Sequence, residues 1–477
     1  MLFDPFEKEF HLRSGLVEKH NRHRRQYEVT REEHQTLLGV GIDIVHAAQR
    51  GGIATSTADR RQDDDVVRDE GRRDIDRPCS EPSPSTVAEL GGRGHSGMQD
   101  ERIVWLCPGF DLGKRSTGGT LYNDVLVRAL KRRFGPDKVT TLDLIPRNTS
   151  HSWPVERAYA NIRYLRNFHR ARQRPPGLVM AASDSTAHLM LPVLYRRLVQ
   201  RMPFGLVVHH LRSSLPSRRG PAKWLERLAE KWFIRNASFI ITISRSTRQS
   251  VIDLSFGSEA NAPPIAIVAP GIATRAPADA SMCRVTSGPP FRMICVGNCD
   301  DPRKGLEYLI EALSLLPAAQ FELLFAGAYS ADSTYHRGLR HLIHRSGVSG
   351  AVSFVGRVSD EELAHLYQTA DLFVFPSLWE GYGIAVAEAL SHGLPVVATR
   401  VGAIPELVRE GVNGLLVAPR DSRALASAVR SLAKDVSARE VIRANNLAFA
   451  RDSFRTWEEV GERLSDIVEE SLSRVRP

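Results

Sequence analysis

The sequence predicts an α/β protein built from two Rossmann-like, doubly wound parallel-sheet domains in tandem, behind an N-terminal extension of different character. Three observations lead there. From residue 102 onward short β-type runs alternate with longer amphipathic helical stretches, the pattern of βαβ units. That rhythm stops once, at Ala273–Pro290, where Pro, Ala and Ser crowd together, and then begins again. Residues 1–97 carry charge runs and turn formers such as DRRQDDDVVRDEGRRDIDRP and SEPSPS, with no sustained helical or strand period.

Taken in chain order, residues 1–97 read as a disordered or spurious extension that adds nothing to the fold. All six Trp lie beyond it, and Met98 stands just before the first convincing strand as a candidate start of translation. In the first block, residues 98–285, the strands are RIVWLCPG, VTTLDLI, GLVMAAS, GLVVHHL, FIITIS and IAIVAP. Helical stretches at Leu121–Phe134, Val155–Arg172 and Lys223–Ile234 are long enough to cross over between parallel neighbours. The second block, residues 286–477, offers FRMICVG, FELLFAG, VSFVGRV, DLFVFPS, PVVATR and GLLVAP, with terminal helices expected to return toward the first block. Over Gly305–Leu316, Leu306, Leu309, Ile310, Leu313 and Leu316 fall at helical spacing, so one stripe faces its sheet. Open parallel sheets bind ligands beyond the C-terminal ends of their strands, so the cleft between two such sheets is the expected site.

Composition narrows the function classes. At 42% hydrophobic and 25% charged the chain is ordinary globular protein, and no apolar run approaches the ~18 residues of a membrane-spanning helix. The N-terminus MLFDPFEKEFHLRSG lacks the pattern of a secretory signal, which makes a cytoplasmic location the expectation. Cys79, Cys107, Cys283, Cys295 and Cys299 are odd in number and irregular in spacing, so free thiols are expected. Cys295 and Cys299 have no Cys/His pair nearby to complete a metal site, and no Asp-x-Asp follows a strand; neither a metal nor a cofactor is expected. Residues 1–97 hold 15 basic and 18 acidic side chains, so the net charge of +9 belongs to the ordered part. Nucleic acid, an anionic membrane surface and an anionic small substrate are the partners such charge suits. The basic runs Lys131–Arg133 and Arg218–Arg219 lack interleaved aromatics, which disfavours nucleic acid. In SRRGPAKWLERLAEKWFIR, Trp224, Leu228 and Trp232 share a helical face among basic residues, which suits an anionic membrane surface or packing on the sheet.

The richest stretch is FPSLWEGYGIAVAEALSHGLPVVAT. A strand leads into a loop with Gly381 and Gly383, and a helix begins near Gly383. Glycines there let backbone amides approach a phosphate, and the helix dipole favours its charge. Glu380 and Glu388 flank this anion site. Carboxylates do not bind phosphate, so they are expected to face hydroxyl groups on either side of it, the layout of a nucleotide-sugar.

These residues resemble the Glu, seven residues, Glu signature of the retaining glycosyltransferases of family 4, and the resemblance extends over roughly residues 101–470. It includes VGNCDDPRKGLEYLIEAL, VSFVGRVSDEELAHLYQTADLFVFPS and GAIPELVREGVNGLLVAPRD. It implies the GT-B fold, with a UDP- or GDP-sugar held by the C-terminal domain and a glycan, lipid-linked or small-molecule acceptor by the N-terminal one. By that resemblance Glu388 binds ribose, Glu380 contacts the donor sugar, and Lys304 contacts the diphosphate. Gly381, Tyr382, Gly383 and Ile384 form the donor loop. Asn298 stands where the family usually carries Arg, and Arg303 is the candidate replacement. Gly118 and Gly119 match the family's glycine loop. Of His209 and His210, which end the strand GLVVHHL, His209 is the favoured match for a catalytic histidine; Asp184 is a further strand-end candidate. The chemistry implied is metal-independent transfer with retention at the anomeric carbon. A non-hydrolysing nucleotide-sugar epimerase and a catalytically silent relative are the alternatives.

Overall fold

The structure, a computed structural model, describes residues 102–107, 118–143, 177–183, 203–215, 221–273 and 290–475. The readings made for residues 1–97, for the stretches 155–172 and 274–289, for Asp184 and for Arg218–Arg219 lie outside these residues.

All twelve expected strands form, in two six-stranded sheets with every neighbouring pair parallel. The first sheet comprises β1 (Ile103–Cys107), β2 (Val139–Asp143), β3 (Leu178–Ala182), β4 (Phe204–Val208), β5 (Phe239–Thr242) and β6 (Ile265–Ile267), in the order β2-β1-β3-β4-β5-β6. The second comprises β7 (Phe291–Val296), β8 (Phe321–Ala326), β9 (Val352–Gly356), β10 (Leu372–Phe375), β11 (Val396–Thr399) and β12 (Gly414–Val417), in the order β12-β11-β10-β7-β8-β9. Central strands read as unbroken apolar runs because both faces are covered. LVMAA of β3, FGLVV of β4 and LFVF of β10 are buried throughout, whereas the edge strand β9 alternates between half-buried and exposed.

The helices follow their sequence signals: α1 (Gly118–Phe134), α2 (Pro221–Arg235), α3 (Arg245–Ser255), α4 (Leu306–Ser314), α5 (Thr334–Arg345), α6 (Asp360–Thr369), α7 (Ile384–Ser391), α8 (Ile404–Leu407), α9 (Ser422–Lys434), α10 (Val436–Ser453) and α11 (Trp457–Val475). Ser244 caps α3 by accepting from Thr247 N, and Ser359 with Glu362 forms a reciprocal capping box on α6. The stripe expected on α4 is buried from Leu306 to Leu316.

The chain leaves the first sheet at Ile272 and comes back to it with α11. Ile272 N–H donates to Arg455 O at 3.0 Å and bridges Thr456, so the outgoing and returning segments lie side by side. Gly461 of α11 sits against Ala129 and Val125 of α1, and Arg132–Glu458 and Arg133–Glu469 pair along the edge at 3.2 and 2.6 Å. One hydrophobic cluster therefore runs from β1 and α1 through Val460, Leu464 and Val468 into Ile294, Phe373 and Val396 of the second sheet. Strand order reverses between β7 and β10, the kind of position outside whose strand ends such sheets bind ligands.

Candidate donor site at the strand reversal

Two loops meet at that reversal. The first follows β7 and ends in a short 3₁₀ turn, Pro302–Lys304, capped by Asp301, whose carboxylate accepts from Arg303 N. The second follows β10 and carries Glu380–Gly383 into α7. They close on each other through Leu378 N–H, which donates to Arg303 O at 2.7 Å, and through the Ser377 hydroxyl, which donates to the same carbonyl. That contact brings Lys304 Nζ to 2.8 Å from Glu380 Oε2, with both side chains about four-fifths buried. Lys304 also lies 5.0 Å over the Phe375 ring. Glu380 Oε1 accepts from Gly381 N–H at 3.2 Å.

Gly383, at the start of α7, has φ of 100°, a left-handed conformation costly for any residue with a side chain. Tyr382 is buried, and burial pushes its hydroxyl well up. Ile384 and Glu388 follow on α7. Burial pushes the Glu388 carboxyl up to about 7, with the Asp360 charge adding to the effect and a hydrogen bond from Tyr367 opposing it.

Not every expected cation reaches the centre. Arg303 folds back on Asp301 through Nε and Nη2 at 3.0 and 2.6 Å, its guanidinium 5.9 Å over Trp379. Asn298 is exposed and accepts from Asp300 N–H at 3.1 Å, a local turn. Cys295 and Cys299 lie buried beside this loop, where burial pushes both thiols up and keeps them protonated. Among the described residues, no three side chains able to hold a metal ion come together.

The first sheet closes the other side. A β-carbon on Gly118 would stand 2.6 Å from Cδ1 of Ile384, and one on Gly381 would stand 2.7 Å from His209 O, so both glycines mark close approach between the halves. Gly119 follows in the first turn of α1. His209 is buried, with Nε2 2.9 Å from Asn123 Oδ1 and its ring edge-on to Tyr122. His210 instead meets the Trp379 ring at 4.8 Å, one residue before Glu380. Ser244 Oγ donates to Gly381 O at 3.0 Å, and Glu406 of α8 accepts from Arg245 N–H and Ser246 N–H at 3.0 and 2.7 Å, capping α3 from across the cleft. Sequence reasoning passed over Asn123, Tyr367, Trp379, Ser244 and Glu406. The last lies inside the quoted run GAIPELV, where its acid next to a proline at a helix start was the available signal.

Comparison with known proteins identifies this architecture. Residues 290–435 match the family described as Glycosyl transferases group 1, and residues 123–271 match the Glycosyl transferase 4-like domain. The chain belongs to glycosyltransferase family 4. Among similar proteins, the O-antigen chain mannosyltransferase B of Escherichia coli is 35% identical over 161 residues, 33% of this chain and 40% of that protein. The D-inositol 3-phosphate glycosyltransferase of Corynebacterium efficiens is 28% identical over 288 residues, 57% of this chain and 67% of that one. The match to the E. coli relative thus spans well under half of its length. Among solved structures, the sucrose-phosphate synthase of Thermosynechococcus elongatus superposes with a TM-score of 0.63 at 20% identity, covering 78% of this chain and all of that one. Anabaena HepE in complex with UDP-glucose gives 0.58 at 22% identity, covering 77% of this chain and 99% of that one. At such identities the likeness shows the fold, and that fold is GT-B.

Proposed function

We propose that this protein is a retaining, metal-independent glycosyltransferase that moves a sugar from a UDP- or GDP-sugar to a hydroxyl of a glycan, lipid-linked or small-molecule acceptor. The observation that carries the reading is the meeting of Lys304 and Glu380 at 2.8 Å beside the N-terminus of α7. A diphosphate entering there takes Lys304 and frees Glu380 for the sugar hydroxyls, while Glu388 receives the ribose and the α7 amides complete the anion site. The glycosyltransferase names of the relatives and the UDP-glucose bound to HepE support a nucleotide-sugar donor. As the glycosidic bond breaks, charge grows on the leaving diphosphate, so a fixed cation there favours the transition state over the ground state. The departing phosphate oxygen then takes the proton of the incoming acceptor hydroxyl on the same face. His209, held by Asn123, and the neighbouring His210 orient the sugar and acceptor.

The test is a binding and turnover screen of UDP-glucose, UDP-N-acetylglucosamine and GDP-mannose. One of them is expected to bind, and Glu388→Gln to weaken it about tenfold to a hundredfold. Chelator is expected to leave the rates unchanged. Failure of all three to bind would sink the donor reading.

The acceptor side suits a membrane-borne substrate. On α2, Trp224, Leu225 and Leu228 are 61%, 47% and 45% exposed beside Lys223 and Arg227, whereas Trp232 packs edge-on against Phe233. Apolar side chains rimmed by cations favour an anionic bilayer surface. Among the described residues no helix is long and apolar enough to cross one. Sedimentation with acidic liposomes is expected to carry down the wild-type chain and to leave Trp224→Ser/Leu228→Ser in the supernatant; equal recovery of the wild type in the supernatant with acidic and neutral lipid would exclude docking.

A further inference from the structure

Glu388 shares its carboxyl with a residue that the donor-site reading does not use. Tyr367, on α6, is 1% exposed, and its hydroxyl lies 3.2 Å from Glu388 Oε2 and 3.4 Å from Ala385 O. Burial holds that hydroxyl well above its ordinary range, so it carries its proton at any working pH and can only donate. One proton facing two acceptors makes a three-centre bond, which accounts for distances longer than the usual ~2.7 Å of a hydroxyl donor. A charged carboxylate competes better for it than a neutral carbonyl. The Tyr367 ring is fixed from the other side, stacked on His392 at 5.3 Å with 22° between planes and tilted against Phe373 at 5.9 Å.

We infer that Tyr367 is a positioning residue of the donor site: its hydroxyl fixes the Glu388 carboxyl in one orientation and favours the charged form that accepts ribose hydroxyls. This rests on the reading of Glu388 as the ribose carboxylate. Two features of the geometry carry it. Glu388 is half-buried rather than sealed, and its Oε2 faces the Tyr367 hydroxyl. Among the described residues, the other titratable groups next to the pair oppose ionisation of Glu388 or stay neutral. Asp360, on the same helix as Tyr367, adds a like charge. Cys295 of β7 is a protonated thiol, and His392, the residue that caps the C-terminus of α7, is held toward its neutral form by burial. From α10, packed behind α7, Asn446 donates its amide to Leu394 O, and Arg443 lies beside Gly393 at the far end of α7. Tyr367 is therefore the near group that favours the carboxylate.

The sign of the consequence follows. A carboxyl pushed up to about 7 binds ribose well only above that pH. Removing the donated hydrogen bond pushes it higher still and moves the pH at which binding is lost in the alkaline direction.

The test uses the full chain, with UDP-glucose and GDP-mannose as probes, because neither titrates between pH 6 and 8.5. Dissociation constants are measured across that range for wild type, Tyr367→Phe and Glu388→Gln. Phenylalanine keeps the stacking on His392. Tyr367→Phe is expected to shift the midpoint of the pH–affinity curve up by about one unit, with roughly fivefold weaker binding at pH 7 and a gap that narrows toward pH 8.5. Glu388→Gln is expected to bind weakly and with no pH dependence in this range. A Tyr367→Phe curve with an unchanged midpoint, whether at wild-type affinity or lowered equally at every pH, overturns the inference and leaves the donor reading standing. Wild-type affinity in Glu388→Gln, or no binding of either probe to the wild-type chain, overturns the donor reading and this inference with it.

Discussion

Lys304→Ala is expected to lower turnover about a hundredfold to a thousandfold at saturating donor, with a much smaller change in KM. The asymmetry arises because the diphosphate carries more charge as it leaves than while the donor is merely bound, so a cation at this spot serves the later state more. The substitution also removes the partner of Glu380, leaving that carboxylate with Gly381 N–H and, in the proposed donor pose, close to the phosphates. Repulsion then adds to the missing attraction. Glu380→Gln in the Lys304→Ala background is expected to relieve the repulsive part and to recover donor affinity more than turnover. Steady-state kinetics on the single and double variants separates the two. Turnover within threefold of wild type in Lys304→Ala would remove this residue from the mechanism.

Gly402→Ala is expected to have an effect of similar size without touching any charged group. Gly402 has φ of 51°, and a β-carbon there would stand 1.7 Å from the carbonyl oxygen of Glu380. The two atoms cannot coexist at that distance, so the Glu380 loop must move outward by an ångström or more. A displacement of that order at a reacting centre costs about a hundredfold in rate. Overpacking of this kind costs about 1–3 kcal/mol of stability. Gly411→Ala is the matched control: its φ is 72°, and nothing lies within 4 Å of a β-carbon there. It should lose about 1 kcal/mol from the backbone alone and keep full turnover. Melting temperature and turnover measured together decide the matter, since wild-type turnover in Gly402→Ala would mean that the Glu380 loop is free to shift without harm.

The fold was legible because parallel strands covered on both faces announce themselves locally: FRMICV, FELLFA and LFVF need no knowledge of their neighbours to be read. The loop between β10 and α7 was legible as a candidate site for a related reason, since Glu380, Gly381, Gly383 and Glu388 fall in one stretch. What could not be read was every contact that depends on which loops the sheet order brings together. Lys304 and Glu380 are 76 positions apart, and Glu406 reaches amides 160 and 161 positions away. Tyr367 looks in the sequence like one more aromatic of an amphipathic helix, and only the placement of α6 beside α7 turns its hydroxyl onto Glu388. Arg303 is the reverse case. Its capture by Asp301, two residues away, was local enough to foresee from the acid placed before a proline at the start of the turn.

The adjoining crossings at Ile272 and Arg455–Thr456 constrain how this molecule can move. Two bodies tethered at a single point swivel about three axes. Bodies joined along a line turn about one. Because the outgoing and returning segments are hydrogen-bonded to each other, and α11 is anchored on α1 beyond them, opening of the cleft is reduced to one angular degree of freedom. Any motion that parts the end of β4 from the Glu380 loop would follow a fixed arc and bring His209, His210 and Trp379 back to the same registration. Alignment of His210 with Trp379 and of Ser244 with Gly381 is thus stored in the path of the backbone as well as in the side chains that touch.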